Sequence, residues 1–375
     1  MNASKMRWAM AALMIGASSA ASVQAEVPAQ IEAELTRMGR IVDPACTAKL
    51  YRPLMPANDI NSGAEPLYPG VAIARDVSFG PDAKDVVDIF SGGRGGDART
   101  VLIYVPGGSG EKIEIQDKEA NAFYDNIGRW ATKNGMVGVI MQRHFSPGWE
   151  DGAKDIARMI QFVQSNIGKY HGNADRIVIW AHSAGNVPLG TYVGRPELWG
   201  PKGVGVRGII FMSPAAFDVA PLSVEMPAPQ EFLKMFMLAG KTCSAGGPAA
   251  TDGALPGKAA GQPGGPSKGP MGPPPAAPPQ DAATQPARSS LPALQASTAK
   301  IMLANGELDI GIDPAHGEVQ PFVQALHDEL CKSGSAHCPT LLIAKGHSHM
   351  SIVFSIDTPD TSVSAPILAW IKQLE

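Results

Sequence analysis

The chain lacks any concentration of positive charge: 31 Lys and Arg against 35 Asp and Glu leave a formal net charge of -4 over 375 residues. Nucleic acid and anionic lipid recruit polybasic surfaces, so neither is an expected partner. Cysteine is scarce, with four in all, and no C-x-x-C pair exists, which removes the thioredoxin-like and zinc-ribbon patterns. Past the N-terminus there is no long apolar run, so no stable insertion into a membrane is expected.

What is present is an ordinary globular composition, 44% hydrophobic and 18% charged, with enough apolar material for one large core. The N-terminus departs from it. Lys5 and Arg7 precede the apolar run Trp8 to Ala17, and small residues lead to Val23-Gln24-Ala25. This reads as a signal peptide over residues 1–25, its apolar stretch well short of the ~20 residues that span a bilayer. The expected location is therefore periplasmic or secreted, a compartment that allows cysteines to pair. Cys331 and Cys338 bracket a short polar loop and are candidates for one disulfide, which leaves Cys46 and Cys243 for a second.

Residues 26 to about 100 are rich in Pro, Gly and Asp, with alternating stretches at Val71–Phe79 and Asp85–Phe90 that read as leading strands. From Thr100 onward strand and helix patterns alternate, which predicts an α/β fold with a mostly parallel sheet covered by helices on both faces. Strands are expected at Val101–Val105, Val137–Met141, Arg176–Ala181, Gly208–Met212, Lys300–Ala304 and Thr340–Ala344, and helices at Phe123–Lys133, Val319–Leu330 and Ala365–Leu374. Ile156, Met159, Ile160, Val163 and Ile167 line one helical face, and Asp151 and Asp155 suit the positive end of that helix. Gly172–Asp175 reads as the turn before the central strand. One segment breaks the alternation: residues 245–290 hold eleven of the 33 prolines and no aromatic residue. Such a segment cannot build a core, and it reads as a disordered insertion within a single domain spanning 26–375.

Chemistry concentrates at strand ends. The run Arg176–Ala181 passes into Ala181-His182-Ser183-Ala184-Gly185, a G-x-S-x-G pattern with Ala in the first place, where a sharp strand-to-helix turn would lift the Ser183 oxygen clear of the sheet. The strand Val101–Val105 runs into Pro106-Gly107-Gly108-Ser109-Gly110. The N–H groups of Gly108 or Ser109, with that of Ala184, are candidates for holding a tetrahedral oxyanion; that loop carries neither G-x-G-x-x-G nor a Gly-Lys-Ser/Thr ending, which argues against a nucleotide site. A serine nucleophile needs a base that titrates near neutrality. His349 is favoured in Gly346-His347-Ser348-His349, with His347 the alternative and a metal-binding His-x-His pair a weaker one, since no other ligand cluster accompanies it; His182 reads as a packing residue. A carboxylate must orient the imidazole. Asp309 is favoured over Glu307, Asp313 and Asp218.

Taken together, Val105 to Gly110, Trp149 to Asp155, Gly172 to Gly185, Gly306 to Asp309 and His347 to Ser351 resemble the α/β-hydrolase carboxylesterases of the hormone-sensitive-lipase-like and feruloyl-esterase-like group. The resemblance covers roughly residues 100–354 apart from the Pro/Gly segment. It implies an α/β-hydrolase fold, the chain order Ser, Asp, His for the triad, and the second histidine of the pair, His349, as base. Pro106 replaces the family's His, and Ala181 the first Gly of its elbow. The implied function is hydrolysis of small-molecule carboxylic esters through an acyl-enzyme on Ser183, with no metal or organic cofactor. An amidase or peptidase would use the same triad, and a scaffold retained for binding alone would use none of it.

Overall fold

The computed structural model describes residues 27–55, 68–92, 96, 98–108, 122–143, 149–214, 217, 219, 222, 243, 289–312, 317–334 and 337–375. The expected signal peptide and all but the last two residues of the Pro/Gly-rich segment lie outside them.

Eight strands form one sheet: β1 (Val71–Ser78), β2 (Val86–Gly92), β3 (Arg99–Val105), β4 (Val137–Met141), β5 (Gly172–His182), β6 (Gly208–Met212), β7 (Lys300–Leu308) and β8 (Thr340–Ser348). Their spatial order is β1-β2-β4-β3-β5-β6-β7-β8. The leading pair is antiparallel to its neighbours, and every pairing from β4 to β8 is parallel. β6 and β7 flank the Pro/Gly-rich segment in sequence yet pair directly, from Gly208 with Lys300 to Met212 with Ala304.

The central strands are apolar without interruption because both of their faces are covered. Val101, Ile103, Val105, Ile177, Ile179 and Ala181 point to one side. There they meet Ile156, Met159 and Val163 of α4 (Trp149–Asn166), Leu189 of α5 (Asn186–Val193), Leu291 of α6 (Leu291–Ala296), and Phe322 and Leu326 of α7 (Pro321–Lys332). Leu102, Tyr104, Val178 and Trp180 point to the other side. That face is closed by α1 (Ala29–Met38), α2 (Pro44–Tyr51), α3 (Ala122–Lys133), α8 (Ser351–Phe354) and α9 (Ser364–Lys372).

The structure adds what composition obscured. α1 and α2 lie in the Pro/Gly-rich leading region where only strands were expected; α1 buries just Ile31 and Leu35, and α2 starts on Pro44 with the Asp43 side chain accepting from the Cys46 N–H at 2.9 Å. Gly172–Asp175 is the irregular first part of β5 and not a turn preceding it, with Gly172 paired to Arg99 before the register shifts. Helix α4 begins early enough that Asp155 sits in its second turn, buried and bonded to Arg158 instead of facing the helix N-terminus. Cys46 and Cys243 lie at disulfide distance with Cα atoms 5.1 Å apart, and Cys331 and Cys338 do so at 4.0 Å. Among the described residues no helix is long and apolar enough to cross a membrane.

Candidate active site

In a parallel sheet the carboxyl ends of the strands share one edge, and polar side chains placed just after several strands converge there. β5 ends at His182. Ser183 follows with φ 52°, a left-handed conformation that costs a side-chain-bearing residue about 1–2 kcal/mol, and a short turn over Ser183–Gly185 leads into α5. The turn is tight because the next strand's loop lies against it. A Cβ on Gly185 would stand 2.6 Å from the Val105 carbonyl oxygen and 2.7 Å from that of Pro106, and one on Gly107 would stand 2.8 Å from the Ser183 Cβ. Only glycine fits at either place. Asn186 braces the turn, donating through Nδ2 to the carbonyls of Ser183 at 2.7 Å and Met212 at 2.9 Å.

Asp309 directly follows β7 and His349 directly follows β8. The structure brings both to Ser183. His349 Nε2 lies 2.8 Å from Ser183 Oγ and its Nδ1 2.7 Å from Asp309 Oδ1. An ionised carboxylate can only accept, so the imidazole donates from Nδ1 and receives the Ser183 hydroxyl at Nε2. Asp309 is fully buried. Burial would raise its pKa, but His349 and the Ser213 hydroxyl outweigh that and hold it below the usual carboxylate range. Its remaining acceptance goes to the Ser213 hydroxyl, the Ile310 N–H at 2.8 Å and the Gly306 N–H at 3.4 Å. Ser183 and Ala184 are half-buried whereas His349 and Asp309 are buried, so the cluster opens to solvent at the serine end.

The other candidates separate cleanly. His347 is buried on a different network, with Nδ1 3.1 Å from Ser351 Oγ and Nε2 2.7 Å from Ser362 Oγ; burial pushes it down to about 4 despite Asp360 nearby. It fixes the loop after β8 and does not reach Ser183. Glu307 accepts from the Gly346 N–H at 2.8 Å, on the far side of that loop. His182 donates from Nε2 to the carbonyl of His349 at 2.9 Å, with the two rings 4.9 Å apart. Burial and the neighbouring His349 lower its pKa to about 3, so this ring stays neutral and serves as a peg under His349. Asp218, Asp313 and Ser109 lie outside the described residues.

Two contributors had not been singled out. Ser213, just after β6, supplies a donor to Asp309. Arg143, two residues past β4, is buried and donates from Nε to the Pro106 carbonyl at 3.0 Å and from Nη2 to that of Gly108 at 2.8 Å. The two bonds fix those carbonyls in the loop that packs against Ser183. Both residues lie, like Ser183 and Asp309, within two residues of the carboxyl end of a strand at the same sheet edge. The arrangement can deprotonate a serine hydroxyl and keep the resulting imidazolium next to a buried carboxylate.

No protein-family model and no curated protein matches this sequence. Solved structures do match its fold. A hyperthermophilic esterase from the archaeon Pyrobaculum calidifontis is 14% identical with a TM-score of 0.54, over 93% of this chain and 99% of that one. A bacterial heroin esterase is 15% identical with a TM-score of 0.52, over 93% and 98%. Carboxyl esterase 2 from the mycorrhizal fungus Tuber melanosporum is 12% identical with a TM-score of 0.51, over 84% and 88%. At such identities the likeness is one of architecture: the chain has the α/β-hydrolase fold.

Proposed function

We propose that the protein is a serine hydrolase that cleaves carboxylic esters through an acyl-enzyme on Ser183. The observation that carries this reading is the unbroken hydrogen-bond chain from Ser183 Oγ through His349 to the buried Asp309. The esterase names among its structural neighbours favour the ester as substrate class.

Ser183 Oγ attacks the ester carbonyl carbon as His349 Nε2 takes the hydroxyl proton. The new imidazolium is stabilised by Asp309, which remains ionised. The N–H groups of Ala184 and of Gly108 or Ser109 hold the tetrahedral oxyanion. Collapse expels the alcohol, which leaves with the proton from His349, and water deprotonated by the same imidazole then releases the acid. No step passes through a metal or an organic cofactor. The sequence signals of export and the two cysteine pairs support an exported protein with both disulfides formed, in one domain from residue 26 that accommodates the Pro/Gly-rich segment as an insertion.

The test is hydrolysis of a short-to-long series of nitrophenyl acyl esters by the mature protein beside Ser183→Ala. Turnover by the wild type alone supports the reading. Turnover of nitroanilides with none of the esters would make it an amidase, and no turnover of either by folded protein would favour a binding scaffold.

A further inference from the structure

The end of α7 carries a grouping remote in sequence from the serine site. His327 and Cys331 are four residues apart on that helix and so share a face, and Cys338 returns to the same point after a short link. His327 Nε2 stands 3.6 Å from Cys331 Sγ and 3.8 Å from Cys338 Sγ. These are the separations that imidazole and thiolate take around one tetrahedral ion: metal–nitrogen bonds of about 2.0–2.1 Å and metal–sulfur bonds of about 2.3 Å place the ligand atoms roughly 3.6 Å apart.

The imidazole also has a partner that selects the tautomer for that role. His327 Nδ1 lies 3.1 Å from Asp328 Oδ1, and the same carboxylate oxygen accepts from Gln324 Nε2 at 2.7 Å. A hydrogen bond donated from Nδ1 to the carboxylate leaves the lone pair on Nε2, the nitrogen nearer to both sulfurs; Cys331 Sγ also lies 3.9 Å from Nδ1, beside the ring, so a turn of the imidazole is needed to aim that lone pair between the sulfurs. This is the carboxylate–histidine–metal order by which proteins fix the tautomer of a ligating ring. Two sulfurs bonded to each other are poor ligands. Opened, they need to part only to roughly 3.8 Å to share a tetrahedral ion, and four of the six residues joining them are small, Ser333-Gly334-Ser335-Ala336, with Gly334 at φ 111°.

We propose that the dithiol form of this site, His327, Cys331 and Cys338, binds one thiophilic divalent cation of the Zn²⁺ class, its fourth position left to water, and that the disulfide form does not. An external dithiol reduces the pair: the Cys331–Cys338 bond takes up two electrons and two protons while the reductant closes its own disulfide. Binding then forms two metal–sulfur bonds and one metal–nitrogen bond and releases both thiol protons. An external disulfide reverses the sequence: it takes two electrons from the two thiolates, is itself reduced to a dithiol, and the ion is discharged as the Cys331–Cys338 bond closes. Soft sulfur ligands with one imidazole suit Zn²⁺ and exclude Mg²⁺ or Ca²⁺. The proposal is independent of the serine chemistry.

The test is Zn²⁺ bound per chain by equilibrium dialysis after reduction with dithiothreitol and its removal under inert gas, with Co²⁺ absorption reporting thiolate coordination. The comparison is Cys331→Ser/Cys338→Ser, which keeps Cys46, Cys243 and the serine site, so that the difference reads this site alone. Reduced wild type should bind one more Zn²⁺ than the double variant, and the untreated forms should not differ. Asp328→Asn should bind 10- to 100-fold more weakly, and His327→Ala more weakly still; both retain the two sulfur ligands, so the loss reads the imidazole and its orientation. Equal Zn²⁺ in the reduced wild type and the double variant, or undiminished affinity in His327→Ala, would overturn the site.

Discussion

Replacing Arg143 by Met separates the energetics of the loop after β3 from those of the fold. Burial lowers the guanidinium from its ordinary range to about 10, so keeping the charge in place costs about 3 kcal/mol. Its two bonds to the Pro106 and Gly108 carbonyls are charge-assisted and contribute about 1.5–3 kcal/mol each. Met fills similar space without the charge, so the cost and most of the gain vanish together and the net loss of stability should be about 0–3 kcal/mol. The catalytic effect should be larger. Without the clamp the peptide joining the Gly108 carbonyl to the Ser109 N–H, one of the proposed donors, is free to turn, and losing one oxyanion donor typically lowers kcat 10²–10³-fold, about 3 kcal/mol. KM should change little, because that donor acts on charge present only in the transition state. Arg143→Lys should fall between, since an ammonium reaches one carbonyl where the planar fork reaches two. Steady-state kinetics on a nitrophenyl ester, beside urea unfolding, checks both. A folded Arg143→Met with kcat within threefold of wild type would refute the role assigned to the clamp.

Other consequences follow from the same geometry. Asp309→Asn removes the charge that stabilises the imidazolium and lets the ring take the wrong tautomer, so kcat should fall about 10³–10⁴-fold with the unfolding midpoint nearly kept; a loss below tenfold would show that another carboxylate orients His349. Ser213→Ala strips one donor from the buried Asp309 and should cost about 1–3 kcal/mol in denaturant unfolding, whereas an unchanged midpoint would mean solvent replaces it. His182 and His347 are held neutral at about 3 and about 4 against 6.5 in the unfolded chain. The unfolded chain therefore takes protons that the fold refuses, and stability is full above pH 6.5 and falls from there toward pH 4, by up to about 1.4 kcal/mol per pH unit for each ring. His347→Gln should flatten that slope by one ring's share in urea unfolding between pH 7 and pH 4.5. The depressed Asp309 acts in a lower window, losing its contribution only as pH falls below 3.8.

The short, wholly apolar strands were legible to the residue, whereas β5 begins four residues before its expected start and β7 runs four past its expected end, where polar residues join the strand. Val137–Met141 and Gly208–Met212 coincide with β4 and β6, because a doubly buried strand must be apolar at every position and polar residues mark its ends. α1 and α2 were not legible. α1 offers two buried positions in ten residues, too sparse a stripe to stand out against Pro, Gly and Asp, and its place is set by packing over the sheet. The convergence of Ser183, Asp309 and His349 was legible because each follows a strand of one parallel sheet. Ser213 and Arg143 obey the same rule, but a lone polar residue after an apolar run is also what any strand end looks like, and only the folded register shows that β6 and β4 deliver theirs beside β5 and β3. His347 and His349 are two residues apart and both buried. Sequence could not divide their roles on spacing alone; the serines around His347 do.

The account stands on Ser183 being an activated nucleophile, and covalent labelling reads that most directly. A fluorophosphonate reports serine activation whatever the preferred substrate, so intact-mass and peptide mapping after exposure of the folded protein needs no knowledge of the acyl or alcohol side. One adduct per chain is expected, mapped to the peptide carrying His182-Ser183-Ala184, lost in Ser183→Ala and strongly slowed in His349→Ala. Folded wild type that takes no label, or takes it at another serine, would contradict it.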